Sequence, residues 1–378
     1  MTLPQQRFLP LDIFRGMTIC FMIIVNTGGG PVSYWPLEHA AFNGFTPTDL
    51  VFPSFLFAVG NAMSFSMRKY EEMGNAAFLT KVIRRTLLIF LIGYLMYWFP
   101  FFHQVDGHWV FKPISHTRIF GVLQRIALCY GIAALMIHYL PRKAVWGLAV
   151  LFLLGYWWLA WYFGTPGAQY TLKGNADLRL DHLILGSSHM YHGESVNGVP
   201  YAFDPEGILS TIPAIVNVIA GYYTGLFVQK KGKDGMGVLT LINIGAILVL
   251  VALAWNIVFP INKKIWTSSF VLCTVGLDLI LLGELIYLID LLKWKGWTSF
   301  FNTFGKNALP IYILSEILIV TLLMIPAGDD DVAGWTNTHF FQAYMPGPFG
   351  SLMFAVTYML ICWLVGKWLE WRKIYIKV

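Results

Sequence analysis

The sequence predicts an all-α integral membrane protein: a polytopic bundle of about ten transmembrane helices, with N- and C-termini cytoplasmic. Three observations predict it. Of the 378 residues, 57% are hydrophobic and only 12% are charged, where a soluble domain carries roughly a quarter charged residues, so the surplus apolar surface must face lipid. Apolar runs of the roughly twenty residues that a hydrocarbon core requires recur along the chain. Lysines and arginines gather in alternate gaps between those runs.

Punctuation by Gly, Pro and charge places the runs in order. The first, 10–27, closes on Asn26 and the glycines Gly28 to Gly30. A phosphate-cradling loop would lead directly into a helix start; this one does not, so it reads as a turn. The second run, 47–67, opens on Thr46, Pro47 and Asp49: a capping hydroxyl, proline at the first helical position and a carboxylate three residues after the cap. Runs follow at 82–101, 117–140 and 145–163. At 205–228, Asp204 is expected as the helix cap, Pro205 as its first residue and Glu206 as a complement to the helix dipole. The last four are 237–258, 266–291, 307–326 and 349–370. The segment 164–204 is too short for a domain of its own yet long enough to form an extracytoplasmic lid over the helices. No internal repeat or low-complexity tract stands out, so 1–378 reads as a single domain.

With the N-terminus inside, the inward segments hold Arg7, Arg15, Arg68, Lys69, Lys81, Arg84, Arg85, Arg142, Lys143, Lys230, Lys231, Lys233, Lys293, Lys295, Lys306, Lys367, Arg372, Lys373 and Lys377. The outward segments hold Lys112, Arg118, Lys173, Arg179, Lys263 and Lys264. This asymmetry sets the orientation, and tryptophans near the run ends, such as Trp98, Trp146, Trp266 and Trp368, suit the interface. The expected location is the inner (cytoplasmic) cell membrane, surrounded by lipid.

Several functions are disfavoured. The net charge of +6 lies between apolar runs and not on a soluble patch, so nucleic acid is not an expected partner. The start, MTLPQQRFLPLDIFRG, has no small-residue cleavage site. Cys20, Cys129, Cys273 and Cys362 sit far apart in apolar runs and read as packing residues. His182, His189 and His192 do not follow a recognised ligand spacing, so no metal is expected.

Ionisable groups inside a bilayer are costly and mark candidate sites. Arg125 lies about eight residues into the fourth run, roughly 12 Å below its outer end, and Arg118, one heptad earlier, is expected on the same face. Asp278, Glu284 or Glu316 could pair with Arg125 as substrate-pathway charges or as a structural ion pair. Asp49 is accounted for by capping. No capping role explains His39 and Asn43, which precede it. A histidine at the outer mouth of a bundle, with Asn26 nearby, suits general-base chemistry near neutral pH.

At these residues the sequence resembles the heparan-alpha-glucosaminide N-acetyltransferase family of transmembrane acetyltransferases. The resemblance runs through LDIFRGMTICFMIIVNTGGG, LEHAAFNGFTPTDLVFPSFLFAVG, TRIFGVLQRIALCYGIAAL, LDHLILGSSHMYH, FDPEGILSTI, NKKIWTSSFVL and GKNALPIYILSEIL, in the family's order. It implies acetyl transfer from cytoplasmic acetyl-CoA, as co-substrate, to an amino sugar or glycan acceptor across the membrane. The family's active histidine maps onto His39, and the asparagine closing its first helix onto Asn26. The lumenal domain that precedes the first helix in lysosomal members is not seen in this sequence, which leaves the acceptor open.

On this reading His39 takes a proton from the acceptor amine and Asn26 orients the acetyl carbonyl or stabilises its oxyanion. Asp204 and Glu206 would attract a cationic amine; Asn43, Arg118, Gln124 and Arg125 would bind the rest of the acceptor. Arg15, Arg84 and Arg85 are the candidates for the phosphates of acetyl-CoA, although a topological role also explains each. An acetyl-histidine intermediate is the competing route. O-acetylation of a surface polysaccharide is the rival reaction and sugar or anion transport the rival class, the latter disfavoured by the lack of an inverted repeat. A homodimer is among the assemblies compatible with the sequence.

Overall fold

The structure is a computed structural model and describes residues 8–29, 32–71, 74–105, 107–196, 198–232 and 234–376. Arg7, Gly30, Lys233 and Lys377 of the sequence reading lie outside these residues, as do the side chains of Arg68 and Lys69.

The described residues are mostly helical. The helices are α1 (Leu9–Asn26), α2 (Val51–Glu71), α3 (Asn75–Trp98), α4 (Val122–Tyr139), α5 (Arg142–Phe163), α6 (Ala176–Ile184) and α7 (Thr211–Lys231), then α8 (Gly235–Trp255), α9 (Ser268–Ile286), α10 (Thr298–Lys306), α11 (Ala308–Met324), α12 (Val332–Thr336) and α13 (Pro348–Trp371). Among the described residues, eight helices are long and apolar enough to cross a membrane: α1, α2, α4, α5, α7, α8, α9 and α13. Joined as one span, α10 and α11 would make a ninth, bent by 83° at Asn307. The 24-residue α3 carries Lys81, Arg84 and Arg85 in its first half. Each of the ten expected runs falls on one of these helices.

Two helix starts differ from expectation. The fourth helix begins at Val122 and not at 117, so Arg118 lies in extended chain ahead of it and the heptad argument for its direction does not apply. Gly121 precedes the helix in extended backbone, packed so closely that a Cβ there would meet the Tyr97 ring. Likewise α7 begins at Thr211, six residues later than the predicted start at 205. The segment between is occupied by turns, in which the Gly207 amide donates to the Asp204 carbonyl and the Ile208 amide to Asp181. Asp204 is therefore not a helix cap.

The centre of the bundle is apolar. Ile13, Phe14, Leu56, Phe57, Ala127 and Val218 are buried there, as are all four cysteines. Without a hydrophobic force between helices in lipid, close approach comes from small residues. The α2–α7 contact shows it: a Cβ on Gly60 would meet the Val218 carbonyl at 2.0 Å, and one on Gly221 the Phe57 carbonyl at 2.0 Å. α7 is the most enclosed spanning helix, while α5 and α8 expose most of their apolar side chains, as lipid-facing helices do.

The connections divide between two ends. At one, the 28–50, 99–121, 164–210 and 256–267 segments interlock: the Gly44 amide donates to Ile261, Asn43 to the Tyr170 carbonyl, His189 pairs with the Thr117 carbonyl, and Lys264 bonds Glu194. The expected lid at 164–204 holds α6 and a hairpin, β1 (Glu194–Val196) with β2 (Val199–Tyr201). At the opposite end Arg15 donates to Gly305, Lys306 to Glu370 and Asn307 to Ile374.

Candidate active site

The helix-start signal that sequence assigns to Asp49 is present: its Oδ2 accepts from the Thr46 amide at 3.1 Å, closing a single 3-10 turn, Pro47–Leu50, that leads into α2. The same oxygen accepts from the Ala40 amide at 3.2 Å. This leaves Oδ1 for the ring of His39, 2.8 Å from Nδ1. A carboxylate 1% exposed thus orients a histidine whose side chain is 45% exposed, the geometry of a base held in one tautomer by a buried partner. Lys263 closes the group, with Nζ at 3.0 Å from His39 Nδ1, 3.4 Å from Nε2 and 3.7 Å from Asp49 Oδ1. Burial pushes the Lys263 amine downward from its ordinary pKa, and Asp49 and Glu206 oppose that.

Asn43 has both kinds of amide atom engaged, donating to the Tyr170 carbonyl at 3.3 Å and accepting from Asn262 at 2.9 Å. It braces the 28–50 segment against the loops that carry Tyr170 and Asn262. Asn26, at the end of α1, donates to Glu316 of α11 at 3.3 Å.

Arg118, Asp204 and Glu206 come together as a buried triad. The guanidinium donates to both carboxylate oxygens of Asp204 and to Glu206, and its carbon sits between the rings of Tyr97 and Tyr191, 4.8 and 4.7 Å from their centroids. Glu206 of the triad lies within electrostatic reach of Lys263, and Tyr97 within that of Arg118, Glu206 and Glu316.

Arg125 and Gln124 are fully buried at the start of α4. The expected partners of Arg125 are elsewhere: Asp278 accepts from Ser54, Glu316 from Asn26, and Glu284 is exposed. Arg125 instead donates to the Gly207 carbonyl and to Ser210, and lies 4.9 Å from the Trp266 ring centroid. The side chain thus meets the turns ahead of α7 and not the acidic residues of α9 or α11. Gln124 packs against Gly93 of α3, where a Cβ would be 2.5 Å from its Oε1. Near Arg125, α6 buries Asp177 and Asp181, four residues apart on one face; Asp177 accepts from the Tyr156 hydroxyl at 2.9 Å.

A cavity of 640 Å³ lies at the opposite end, walled by α1 to α4, α10 and α11. Arg15, Lys81, Arg85 and Lys306 line it, with Tyr70 and Tyr130; apolar side chains of α2 and α4, Phe55 and Ile126 among them, complete the wall. The Arg85 guanidinium sits 4.6 Å from the Tyr130 ring centroid, and its Nε is buried with no hydrogen-bond partner. Arg84, one residue earlier on α3, is exposed and outside the lining. The sequence-predicted trio is thus split: Arg15 and Arg85 share the cavity, while Arg84 faces away.

Sequence reasoning missed Lys263, which it read only as a topological charge, and the second role of Asp49. It also missed Lys81 and Lys306, which line the cavity, and Asp177 and Asp181, which are buried near Arg125. The i,i+4 spacing of the two aspartates was the one local signal, since it puts both carboxylates on one helix face.

A family model described as heparan-alpha-glucosaminide N-acetyltransferase, catalytic, matches residues 7–253. The chain is 31% identical over 370 residues to heparan-alpha-glucosaminide N-acetyltransferase of Homo sapiens, covering 82% of this chain and 53% of that protein. The Mus musculus protein of the same name is 29% identical over 359 residues, with the same shares covered, 82% and 53%. The chain thus spans about half the length of the curated relatives it matches. With the matched region taking in α1 to α7, the His39–Asp49 pair and the Arg118 triad, the chain belongs to the heparan-alpha-glucosaminide N-acetyltransferase catalytic family.

Proposed function

We propose that this protein moves an acetyl group across a membrane, from cytoplasmic acetyl-CoA to the amine of a glucosamine-type amino sugar on the far side. The observation that carries the reading is the His39–Asp49 pair: Asp49 Oδ1 at 2.8 Å fixes Nδ1 as the protonated nitrogen and leaves Nε2 as the basic one. The proposed topology has ten spans, α1 to α5, α7 to α9, α11 and α13, with both termini cytoplasmic and the chain acting as one unit in an inner membrane. The charge asymmetry of the loops supports it.

The basic cavity fits the donor's phosphates at its charged walls and the pantetheine arm along its apolar ones. From Arg15 to Asn26 along α1 is eleven residues, about 16 Å at the helical rise, a distance an extended pantetheine arm covers. The thioester would then present its carbonyl near Asn26. A glucosamine amine is largely cationic near neutral pH and must lose a proton before attack. His39 Nε2 takes that proton first, which frees the nitrogen's lone pair to add to the carbonyl; Asp49 stabilises the resulting imidazolium, Asn26 donates to the developing oxyanion, and the second proton, shed by the nitrogen after it has added, goes to the departing sulfur. The nitrogen–acyl bond forms, the carbon–sulfur bond breaks and the thiol leaves. The Arg118 triad carries a net negative charge, which favours arrival of the cationic amine.

The test is mass spectrometry of amino sugars incubated with acetyl-CoA and the purified full chain in detergent, with thiol release followed in parallel. N-acetylated sugar with matching thiol is the expected result. No thioester consumption above background with any amino sugar overturns the reaction, and full activity in His39→Ala overturns the site.

A further inference from the structure

We infer that a proton on Asp177 fastens the 256–267 loop to the lid through Tyr156, which makes Asp177 a positioning residue for the segment that carries His39. The claim concerns the fold around His39 and holds whatever reaction His39 performs.

Hydrogen-bond valence sets the protonation. The Tyr156 hydroxyl, fully buried in the outer half of α5, meets two oxygens: the Ile265 carbonyl, and Asp177 Oδ2 at 2.9 Å. A carbonyl only accepts, and a phenol has one proton. When that proton goes to Ile265, Asp177 reaches the phenol oxygen by donating a proton of its own, as a neutral carboxylic acid. Two further observations favour the acid. Asp177 Oδ1 is buried with no hydrogen-bond partner, which costs a carboxylate far more than it costs the carbonyl of an acid. Arg125, the cation that faces Asp177, donates instead to the Gly207 carbonyl and to Ser210.

Ionisation reverses the arrangement. A carboxylate only accepts, so the hydroxyl proton turns to Oδ2 and the Ile265 carbonyl loses its donor. Burial raises Asp177 to about 6, opposed by that hydroxyl and by Arg125, so the bond to Ile265 is present at low pH and lost as pH rises through the folded value. The groups that face Asp177 are Tyr156 from α5, Arg125 from α4, Ser210 from the turns ahead of α7, and Asp181, one turn on along α6; Asp204 acts on Asp181 from those same turns. Burial raises Asp181 to about 7, so the two carboxyls lose their protons over a shared range of pH.

Ile265 belongs to a tightly bonded turn. Its amide donates to the Asn262 side chain, the Asn262 amide to the Thr267 hydroxyl, and the Thr267 amide to the Asn262 carbonyl. The same turn holds the His39 segment: Asn262 donates to Asn43, and the Gly44 amide donates to the Ile261 carbonyl. Lys263 of this loop lies over the His39 ring, with Nζ at 3.0 and 3.4 Å from its two nitrogens. Loss of the Tyr156 bond releases the loop at Ile265 and loosens these contacts.

The test is hydrogen–deuterium exchange of the full chain in detergent from about pH 5 to about pH 8, corrected for the intrinsic pH dependence of exchange and read on peptides covering 256–267 and 37–46. In wild type, protection of both is expected to fall about fivefold as pH rises, the loss of one hydrogen bond. Asp177→Asn keeps a donor on Tyr156 at every pH, because its amide N–H replaces the acid's O–H, and is expected to hold the low-pH protection throughout. Tyr156→Phe leaves Ile265 without its donor and is expected to show the high-pH level throughout. Asp181→Asn, which keeps the Tyr156–Asp177 pair, still shows the fall. Wild-type protection that does not change with pH overturns the inference, and so does a fall in Asp177→Asn equal to that in wild type. The expected pattern in a protein that acetylates no amino sugar upholds the fastening and overturns the function instead.

Discussion

Arg118 donates to both carboxylate oxygens of Asp204, at 3.0 Å from Nε and 2.6 Å from Nη2, across 86 positions of sequence. Asp204 is fully buried and Arg118 nearly so, with side-chain exposures of 0% and 12%. Glu206 shares the same guanidinium. Arg118→Ala would leave two buried carboxylates facing each other, a loss of about 3–5 kcal/mol for a broken buried pair. The expected outcome is a marked fall in the detergent melting temperature. Arg118→Lys is also expected to lower it, because an ammonium cannot reproduce the fork or the stacking between Tyr97 and Tyr191. Melting followed by size exclusion checks both.

Asp49 holds the helix start through Oδ2 and His39 through Oδ1, and under the proposed mechanism Asp49→Asn separates the structural task from the chemical one. The amide oxygen can still accept from the Thr46 amide, so the start of α2 is expected to lose only about 1 kcal/mol. The charge that holds His39 in its tautomer and stabilises its cation is lost. Turnover of amino sugar is expected to fall about 10²- to 10⁴-fold. Steady-state kinetics beside a melting curve checks the pair; wild-type kcat in Asp49→Asn would end the case for the His39–Asp49 pair.

The spanning helices were legible in the sequence because a bilayer enforces length and apolarity, which are local properties. What was not legible depends on contacts between distant segments. Ahead of the two late-starting helices, Gly121 packs against the Tyr97 ring and Gly207 against the Asp181 carboxylate, and neither contact can be read from nearby sequence. Arg125 likewise meets Ser210 and not the acidic residues of α9 and α11, a pairing set by packing between helices. His39 was visible because no local role explained it. Asp49 was hidden for the opposite reason: its capping role was a complete explanation on its own. Lys263 looked like one more loop charge until folding brought it within 3.0 Å of the His39 ring.

Adjacent arginines on α3 provide an internal control for the donor site. Arg85 lines the cavity with an unpartnered buried Nε, whereas Arg84 is exposed. If the cavity holds the phosphates of acetyl-CoA, Arg85→Ala is expected to raise the KM for acetyl-CoA about tenfold, the loss of roughly one charge-assisted contact, with the amino-sugar KM little changed. Arg84→Ala is expected to leave both within about twofold. Initial-rate kinetics with each substrate varied in turn distinguishes the two, and equal effects of the two variants would remove the donor from this cavity.

The lid should show its own pH dependence. Burial, opposed by the Tyr156 hydroxyl and Arg125, raises Asp177 to about 6. Burial also raises Asp181 to about 7, opposed by the Ile208 amide and aided by the charge of Asp177. A carboxyl with a raised folded pKa binds its proton more tightly folded than unfolded, so stability falls as pH rises from the unfolded value of 3.8 through the folded one. The window is therefore about 4 to 7, with the loss complete above it. The melting temperature in detergent is expected to rise on acidification from pH 8 to 5.5, as far as other groups leave this contribution visible. Asp181→Asn removes the ionisation while keeping an acceptor for the Ile208 amide. It should melt higher than wild type at pH 8 and lose much of the difference at pH 5.5. Equal melting temperatures of variant and wild type at pH 8 would mean that Asp181 is already compensated when ionised, most directly by Arg125.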